Sequence, residues 1–389
     1  MQQSTWFTPE GLEDLLPPQA QKLELYRRKL IDGFELSGFD LVLPPIAEFT
    51  DSLLTGTAGH MAVETCRFTD QESGRMMGVR SDMTPQVARI VSNRLKAEGI
   101  SRLCYVGEVL KTRNNKAKGS RSPIQVGAEL FGHNGVESDI EIIELMLESM
   151  QTLALPDIKM SLGHIRIVTE LLDQAGVTGA KRAALIDILE RKAIPEYEAF
   201  VAEMNLAAAL QEKFNALIHL CGDAQAVLTQ AASLLTGTSD AVDAALADLA
   251  SIVAAVEVNQ GVAVHLDIAD MRGYQYHTGV IFAAYSGGTL QPMAMGGRYD
   301  NIGEVFGLAL PATGFSLDLR SALDLLPEVP LNIQGTIHAP AQANAELSKA
   351  IAHYKSQGYR VVKSFDLPSL PSGSQVLVEE NNQWILKKA

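Results

Sequence analysis

The chain has 389 residues, 47% of them hydrophobic, and a formal net charge of -14 at neutral pH. That length and apolar content suffice for a large packed core and a smaller second domain, while the charge opposes binding of a polyanion over the surface as a whole. The opening Met1 to Trp6 is neither basic nor apolar and no apolar run reaches the length of a bilayer span, so a cytoplasmic protein is expected.

From Gln21 to Leu36, Leu23, Tyr26, Leu30 and Phe34 keep the spacing of one helical face, and Gly38 predicts the stop. Phe39 to Leu43 alternates as a strand and ends at Pro44 and Pro45, which have no N–H to give a ladder. Strands are also expected at 76–79, 103–109 and 124–131, the last two joined by the loop Lys111 to Ser122 as a long hairpin. Such a hairpin points to an antiparallel sheet. Ser138 to Thr152 places Ile140, Ile143, Leu147 and Met150 at helical spacing, with Ser138 as the predicted N-cap. Between about 177 and 258 the composition turns to Ala, Leu, Glu and Asp, which predicts an inserted helical subdomain.

Strand character returns at 262–268 and 280–285, and the linker Pro327 to Pro330 closes a first domain of residues 1–326. Residues 331–389 read as a small α/β domain with a strand at 334–338, a helix at 341–357, a strand at 359–362 and a terminal pair at 375–378 and 383–386. The expected class is α+β: an antiparallel sheet flanked by helices, a helical insertion and a small C-terminal α/β domain.

Three segments gather charged and aromatic residues among glycines: Arg80 to Pro85, Gln125 to Glu129 and Arg272 to Gly279. If their strands are neighbours, Asp82, Gln125 and Glu129 face Arg272, which suits a zwitterion. An ammonium needs a carboxylate, a carboxylate needs a guanidinium fork, and an imidazole needs partners for both nitrogens. Alternation puts Gln125 and Glu129 on one face of their strand, and Asp82 and Thr84 likewise if that segment stays extended. Each residue alone has an ordinary structural role open to it, as a surface carboxylate, a stacking arginine or a turn pair such as Arg298 and Asp300.

The three cysteines, Cys66, Cys104 and Cys221, lack metal-ligand spacing, the eight histidines lack the i, i+4 pairing of a helical zinc site, and no Walker-type loop occurs. Ser286 to Gly288 reads as a hairpin turn. No metal or cofactor is expected.

Over roughly residues 1 to 325 these segments resemble the class II histidyl-tRNA synthetases. Phe7 to Gly11, the helix after it and the strand ending at Pro45 resemble that family's first motif, a dimer-interface element. Arg80-Ser81-Asp82-Met83-Thr84 resembles Arg-Pro-Glu-Gly-Thr, and Gln125 to Gly132 resembles Gln-Leu-Gly-x-Glu-x-Phe-Gly. Arg272 to Gly279 is similar to Arg-Gly-Leu-Asp-Tyr-Tyr-Thr-Gly, Gly296 to Asp300 to Gly-Gly-Arg-Tyr-Asp, and Gly314-Phe315 opens the third motif. The resemblance implies Asp82, Thr84 and Gln125 near the α-amino group of histidine, Glu129 on its imidazole and Arg272 near its carboxylate. Tyr276 is implied in the side-chain pocket, with His277 where the family has tyrosine.

The departures fall where a synthetase handles ATP. Against the family's Phe-Arg-x-Glu stands Leu110-Lys111-Thr112-Arg113, which loses the arginine and reverses the sign of the glutamate. Against Gly-Leu-Glu-Arg stands Asp318-Leu319-Arg320-Ser321, which leaves Ser321 in the place of a second arginine and turns Arg320 elsewhere. Losing such groups costs several kcal/mol of barrier, roughly, so adenylation is not expected. The tail is shorter than a synthetase's anticodon domain and carries no obvious basic surface.

This pattern resembles the synthetase paralogues that serve as regulatory subunits of ATP phosphoribosyltransferase. The resemblance implies a non-catalytic chain that pairs with a short catalytic subunit in a hetero-octamer with a dimeric synthetase-like core, activates it, and confers feedback inhibition by histidine without binding tRNA. A divergent histidyl-tRNA synthetase and a histidine sensor for another enzyme are the alternatives.

Overall fold

Helix α1 (Gln19–Leu36) turns Leu23, Tyr26, Leu30, Ile31 and Phe34 inward. It ends where Gly38 and Phe39 return their N–H groups to the carbonyls of Glu35 and Phe34, the stop predicted at Gly38. In this computed structural model the described residues are 7–55, 59–95, 99–113, 120–287, 289–307, 309–328 and 333–388. The chain divides into two units, Met1–Pro327 and Glu328–Ala389.

After α1 come β1 (Asp40–Leu41), β2 (Ala47–Phe49), α2 (Thr50–Leu53), α3 (Gly59–Glu64), β3 (Arg67–Thr69) and β4 (Met76–Val79). The strand expected from Phe39 to Leu43 shrinks to the two residues of β1, paired parallel to the later strand at Leu103 and Cys104. Strands β2, β4 and β3 make a small sheet of their own. Helix α4 (Thr84–Ile90), running on into a π-helical turn at Val91–Leu95, precedes β5 (Ser101–Glu108) and β6 (Ile124–Phe131). Asp82 and Thr84 therefore do not lie on an extended segment: Thr84 opens a helix, with Pro85 in its first turn, where a missing N–H costs nothing.

Next are α5 (Val136–Thr152), β7 (Lys159–His164), α6 (Ile165–Gln174), α7 (Gly179–Glu190), α8 (Ile194–Glu203) and α9 (Ala208–Leu217). Then follow β8 (Cys221–Asp223), α10 (Ala224–Leu235), α11 (Asp240–Asn259), β9 (Ala263–Asp267), β10 (Val280–Tyr285), β11 (Ala294–Arg298), β12 (Ala312–Asp318) and α12 (Leu319–Ala322). Within the stretch read as purely helical, β8 is an edge strand paired with β9, and α11 packs on α5, β7 and β9.

Nine strands form the main sheet, in the order β1-β5-β6-β12-β11-β10-β7-β9-β8. The pairs from β5 through β7 are antiparallel, while β1–β5 and β7–β9 are parallel. One face carries Val126, Ala128, Leu130, Phe315 and Leu317, all buried, with α1 and α5 against it; Phe34 of α1 meets Phe315 edge to face at 6.0 Å. Residues one step along in register fall on the opposite face, which carries Gln125, Glu129, Ser316 and Asp318.

The second unit is a four-stranded sheet in the order β14-β13-β15-β16, built from β13 (Thr336–Pro340), β14 (Arg360–Ser364), β15 (Gln375–Glu380) and β16 (Gln383–Lys388). Helix α13 (Ala345–Ser356), capped by the Asn344 side chain, covers Ile337, Ala339 and Leu377 with Leu347 and Ile351. Residues 329–330 of the expected linker, 331–332 at the start of the expected second domain, 114–119 of the expected hairpin loop and Gly288 lie outside the described residues.

Ser138 is not the cap of α5; Gly135 precedes that helix, and the Ser138 hydroxyl sits inside its first turn, donating to the Gly135 carbonyl at 2.7 Å. It serves Arg298 instead. The Arg298 guanidinium meets Asp139 at 2.9 Å, Ser138 Oγ at 2.8 Å and the carbonyls of His133 and Gly135 at 3.2 and 3.1 Å, tying the end of β11 to the start of α5. Arg298→Met strands a buried carboxylate, so urea unfolding followed by circular dichroism is expected to show a loss of about 3–5 kcal/mol, reduced when Asp139→Asn is added.

Candidate functional site

Glu129, on the polar face of β6, is 1% exposed. A carboxyl so placed needs hydrogen bonds to replace water. Thr84 Oγ1 donates to Oε1 at 2.8 Å, the Tyr105 hydroxyl donates to the same oxygen at 3.0 Å, and the Tyr299 hydroxyl donates to Oε2. Burial nevertheless dominates and pushes the Glu129 carboxyl up to about 8, against the pull of the three hydroxyls. The carboxyl lies over Gly314, its partner across the ladder, where a Cβ would collide with Oε2.

Gly297 pairs with Gly314 on the next strand, and the His277 ring occupies the space above it, 2.5 Å from where a Cβ would stand. Tyr276 stacks on Tyr299 with ring centroids 5.1 Å apart, and the His277 ring meets Tyr276 edge to face at 5.2 Å. Burial lowers His277 to about 4, so the ring is neutral at physiological pH. Its Nδ1 and the Tyr276 hydroxyl are buried without a hydrogen-bond partner among the described residues.

A second cluster hangs from the same threonine. Asp82 Oδ1 accepts the Thr84 N–H at 3.1 Å and the Gln125 amide at 2.7 Å, while Gln125 Oε1 accepts the Met83 N–H at 2.9 Å. The sequence thus brings Asp82, Thr84, Gln125, Glu129, Tyr276 and His277 into one connected group. Asp82 and Gln125 line a cavity of about 280 Å³ that also reaches Glu64, Lys111, Asp318 and Ser321. Glu129, Tyr276 and His277 are not among its walls.

Arg272 stands apart from this group. Asp270, two residues earlier and buried, takes its Nε and Nη2, Tyr285 takes Nη1 at 3.0 Å and Ser161 takes Nη2 at 3.3 Å. The fork expected for a carboxylate is occupied by one from the chain itself. One of its five N–H groups is left over among the described residues.

Positions that depart from the synthetase pattern have partners within the chain. Lys111 pairs with Glu64 at 3.3 Å, and the Ser321 hydroxyl donates to Asp318. Arg113 and Arg320 line a different cavity of about 860 Å³ together with Arg121, and Arg320 donates to the Glu13 carbonyl at 2.9 Å.

Tyr105, Tyr299 and Asp270 escaped the sequence reading. Tyr299 lay inside the Gly296 to Asp300 segment, and Asp270 lay two residues ahead of Arg272; only Tyr105 had no segment of its own to mark it.

Residues 11–322 match the family described as histidyl-tRNA synthetase. The "ATP phosphoribosyltransferase regulatory subunit" of Hydrogenovibrio crunogenus is 57% identical over 387 residues, covering 99% of both chains. The chain belongs to the ATP phosphoribosyltransferase regulatory subunit family. Members so named from Thioalkalivibrio sulfidiphilus and Chromohalobacter salexigens are 46% and 44% identical, each covering 97% of both chains. Fold likeness within and around the family is wide. A crystal structure described as an ATP phosphoribosyltransferase regulatory subunit/histidyl-tRNA synthetase from Bacillus halodurans aligns with a TM-score of 0.81 at 24% identity, covering 95% of this chain and 94% of that one. The histidyl-tRNA synthetase of Nostoc sp. aligns at 0.75 with 16% identity, covering 94% and 87%. No helix among the described residues is long and apolar enough to cross a membrane.

With its carboxyl raised from 4.5 to about 8 in the folded chain, Glu129 contributes stability that is full below 4.5 and lost as pH rises to about 8. Glu129→Gln is therefore expected to flatten the dependence of melting temperature on pH across that window. A slope unchanged from the wild type would show that Glu129 does not titrate there.

Proposed function

We propose that the cleft binds free histidine and that this chain, itself non-catalytic, activates a short-form ATP phosphoribosyltransferase catalytic subunit and makes it sensitive to histidine. The observation that carries the reading is the asymmetry of the cleft. Asp82, held by Thr84, and Gln125 line the cavity, while the positions that would hold ATP carry a lysine paired to Glu64 and a serine paired to Asp318. The names of relatives 40–57% identical over nearly the whole chain support the same partner.

In this reading the α-ammonium donates to Asp82 Oδ2, which has no partner among the described residues, and to the second lone pair of Gln125 Oε1. The imidazole lies by Tyr276 and His277 and gains Glu129 when Tyr299 yields its hydrogen bond. The carboxylate takes the remaining N–H of Arg272. Residues 1–326 form the synthetase-like core, dimeric within a hetero-octamer, with 177–258 as its insertion and 331–389 as a satellite domain; no tRNA is bound and the complex is cytoplasmic.

Inhibition then is a coupling free energy: tenfold inhibition needs histidine to favour one assembly state by about 1.4 kcal/mol. Mixed with the short-form catalytic subunit, the chain is expected to raise its rate, and histidine to lower it. Asp82→Ala is expected to weaken histidine binding by roughly tenfold or more in calorimetric titration and to abolish feedback while activation persists. Histidine inhibition unchanged in that variant would refute the assignment. Robust histidine-dependent pyrophosphate exchange with ATP would instead make the chain a divergent synthetase.

A further inference from the structure

We propose that Asp318 sets the charge selectivity of the cleft, accepting a cationic ligand end and refusing phosphate. The inference rests on the reading of the cleft as a ligand pocket and concerns what that pocket rejects. Asp318 closes β12 directly opposite Gln125, so both side chains leave the sheet on the same face. Its Oδ1 accepts the N–H groups of Ile124 at 3.2 Å and Arg320 at 3.1 Å, and its Oδ2 accepts the Ser321 hydroxyl. Three donors from two elements fix the carboxylate in the cavity wall.

The matching position in the Gly-Leu-Glu-Arg segment has no side chain at all. Here it carries a charge. Among the described residues Glu64, Asp82 and Asp318 line the cavity against one cation, Lys111, which is already paired with Glu64. Within that set Asp82 and Asp318 have no neutralising partner. Arg113, Arg121 and Arg320 line the other cavity. A phosphate entering the smaller cavity meets like charge in a partly desolvated site, where Coulomb terms are strong, whereas an ammonium is welcomed. For a histidine sensor attached to an enzyme named for ATP, rejecting polyphosphates keeps the readout tied to histidine alone.

The test is calorimetric titration of the full chain with AMP at low salt, comparing wild type, Asp318→Asn and Asp318→Glu, with histidine titrated into the same samples. Asn keeps an acceptor for the two N–H groups and removes the charge, so AMP affinity is expected to rise on the order of tenfold or more, and Glu to leave it unchanged. Equal AMP affinity in the wild type and the Asn variant would overturn the proposal. Should the Asn variant fail to fold, the wild type decides: AMP binding tighter than uncharged adenosine overturns the proposal, and AMP binding no tighter supports it. Failure of the wild type to bind histidine would overturn the pocket assignment and leave the charge comparison standing.

Discussion

Glu129 sits on β6 where alternation sends its side chain onto the glycine-bearing face of the sheet, and a carboxyl there has almost no water to solvate it. Three hydroxyls replace that water, and each comes from a different segment: the start of α4, the middle of β5 and the turn after β11. The consequences spread outward. Tyr299, held by Glu129, becomes the surface on which Tyr276 stacks, and Tyr276 sets the edge that His277 meets. Thr84, held by the same carboxyl, offers its N–H to Asp82 and so fixes the turn that receives Gln125. One desolvated group thereby aligns the two ends of the site.

Charge is sorted across the neighbouring cavities. They share Ser120 and Ser321 and each is lined by three carboxylates, but Arg113, Arg121 and Arg320 balance Glu10, Glu13 and Asp324 in the larger, whereas among the described residues the smaller sets only Lys111 against Glu64, Asp82 and Asp318. In a chain with a net charge of -14 a surplus of carboxylates is unsurprising, but their placement beside Gln125 is specific. Two of the side chains that depart from the synthetase pattern have partners within the chain, since Lys111 finds Glu64 and Ser321 finds Asp318.

Much of this was legible in the sequence. Helix α1 was readable because only one face is buried, which leaves its period in the residue pattern, and β6 was readable because Gln125, Gly127 and Glu129 alternate with Val126, Ala128 and Leu130, although nearly all of it is buried. Strand β12 was not, because its small residues Ala312, Thr313 and Gly314 leave no apolar alternation, and β11 was not, because Gly296 and Gly297 read as a turn when considered without Phe282 and His277 above and below them. Thr84 was misjudged for a local reason: a helix opening at Thr84-Pro85 looks extended until its N–H partners are known. At the site, the segments were legible and their internal partners were not. Tyr105 and Tyr299 reach Glu129 from 24 and 170 residues away, distances over which no periodic pattern operates. Arg272 was visible as a fork, but its occupation by Asp270 depends on a turn geometry that spacing does not encode.

The paired glycines Gly297 and Gly314 carry a mechanical implication. Because they lie in adjacent ladders of an antiparallel sheet, the floor beneath Glu129 and His277 is backbone cross-linked on both sides and cannot be displaced without breaking strand pairing. The groups that close over that floor, Arg80 to Thr84 and Met271 to Thr278, have no ladder of their own. Any rearrangement accompanying occupancy of the site must therefore be carried by these overhanging turns. The first of them continues directly into α4 and its π-helical turn, whose looser winding gives a displacement at Thr84 a path away from the sheet.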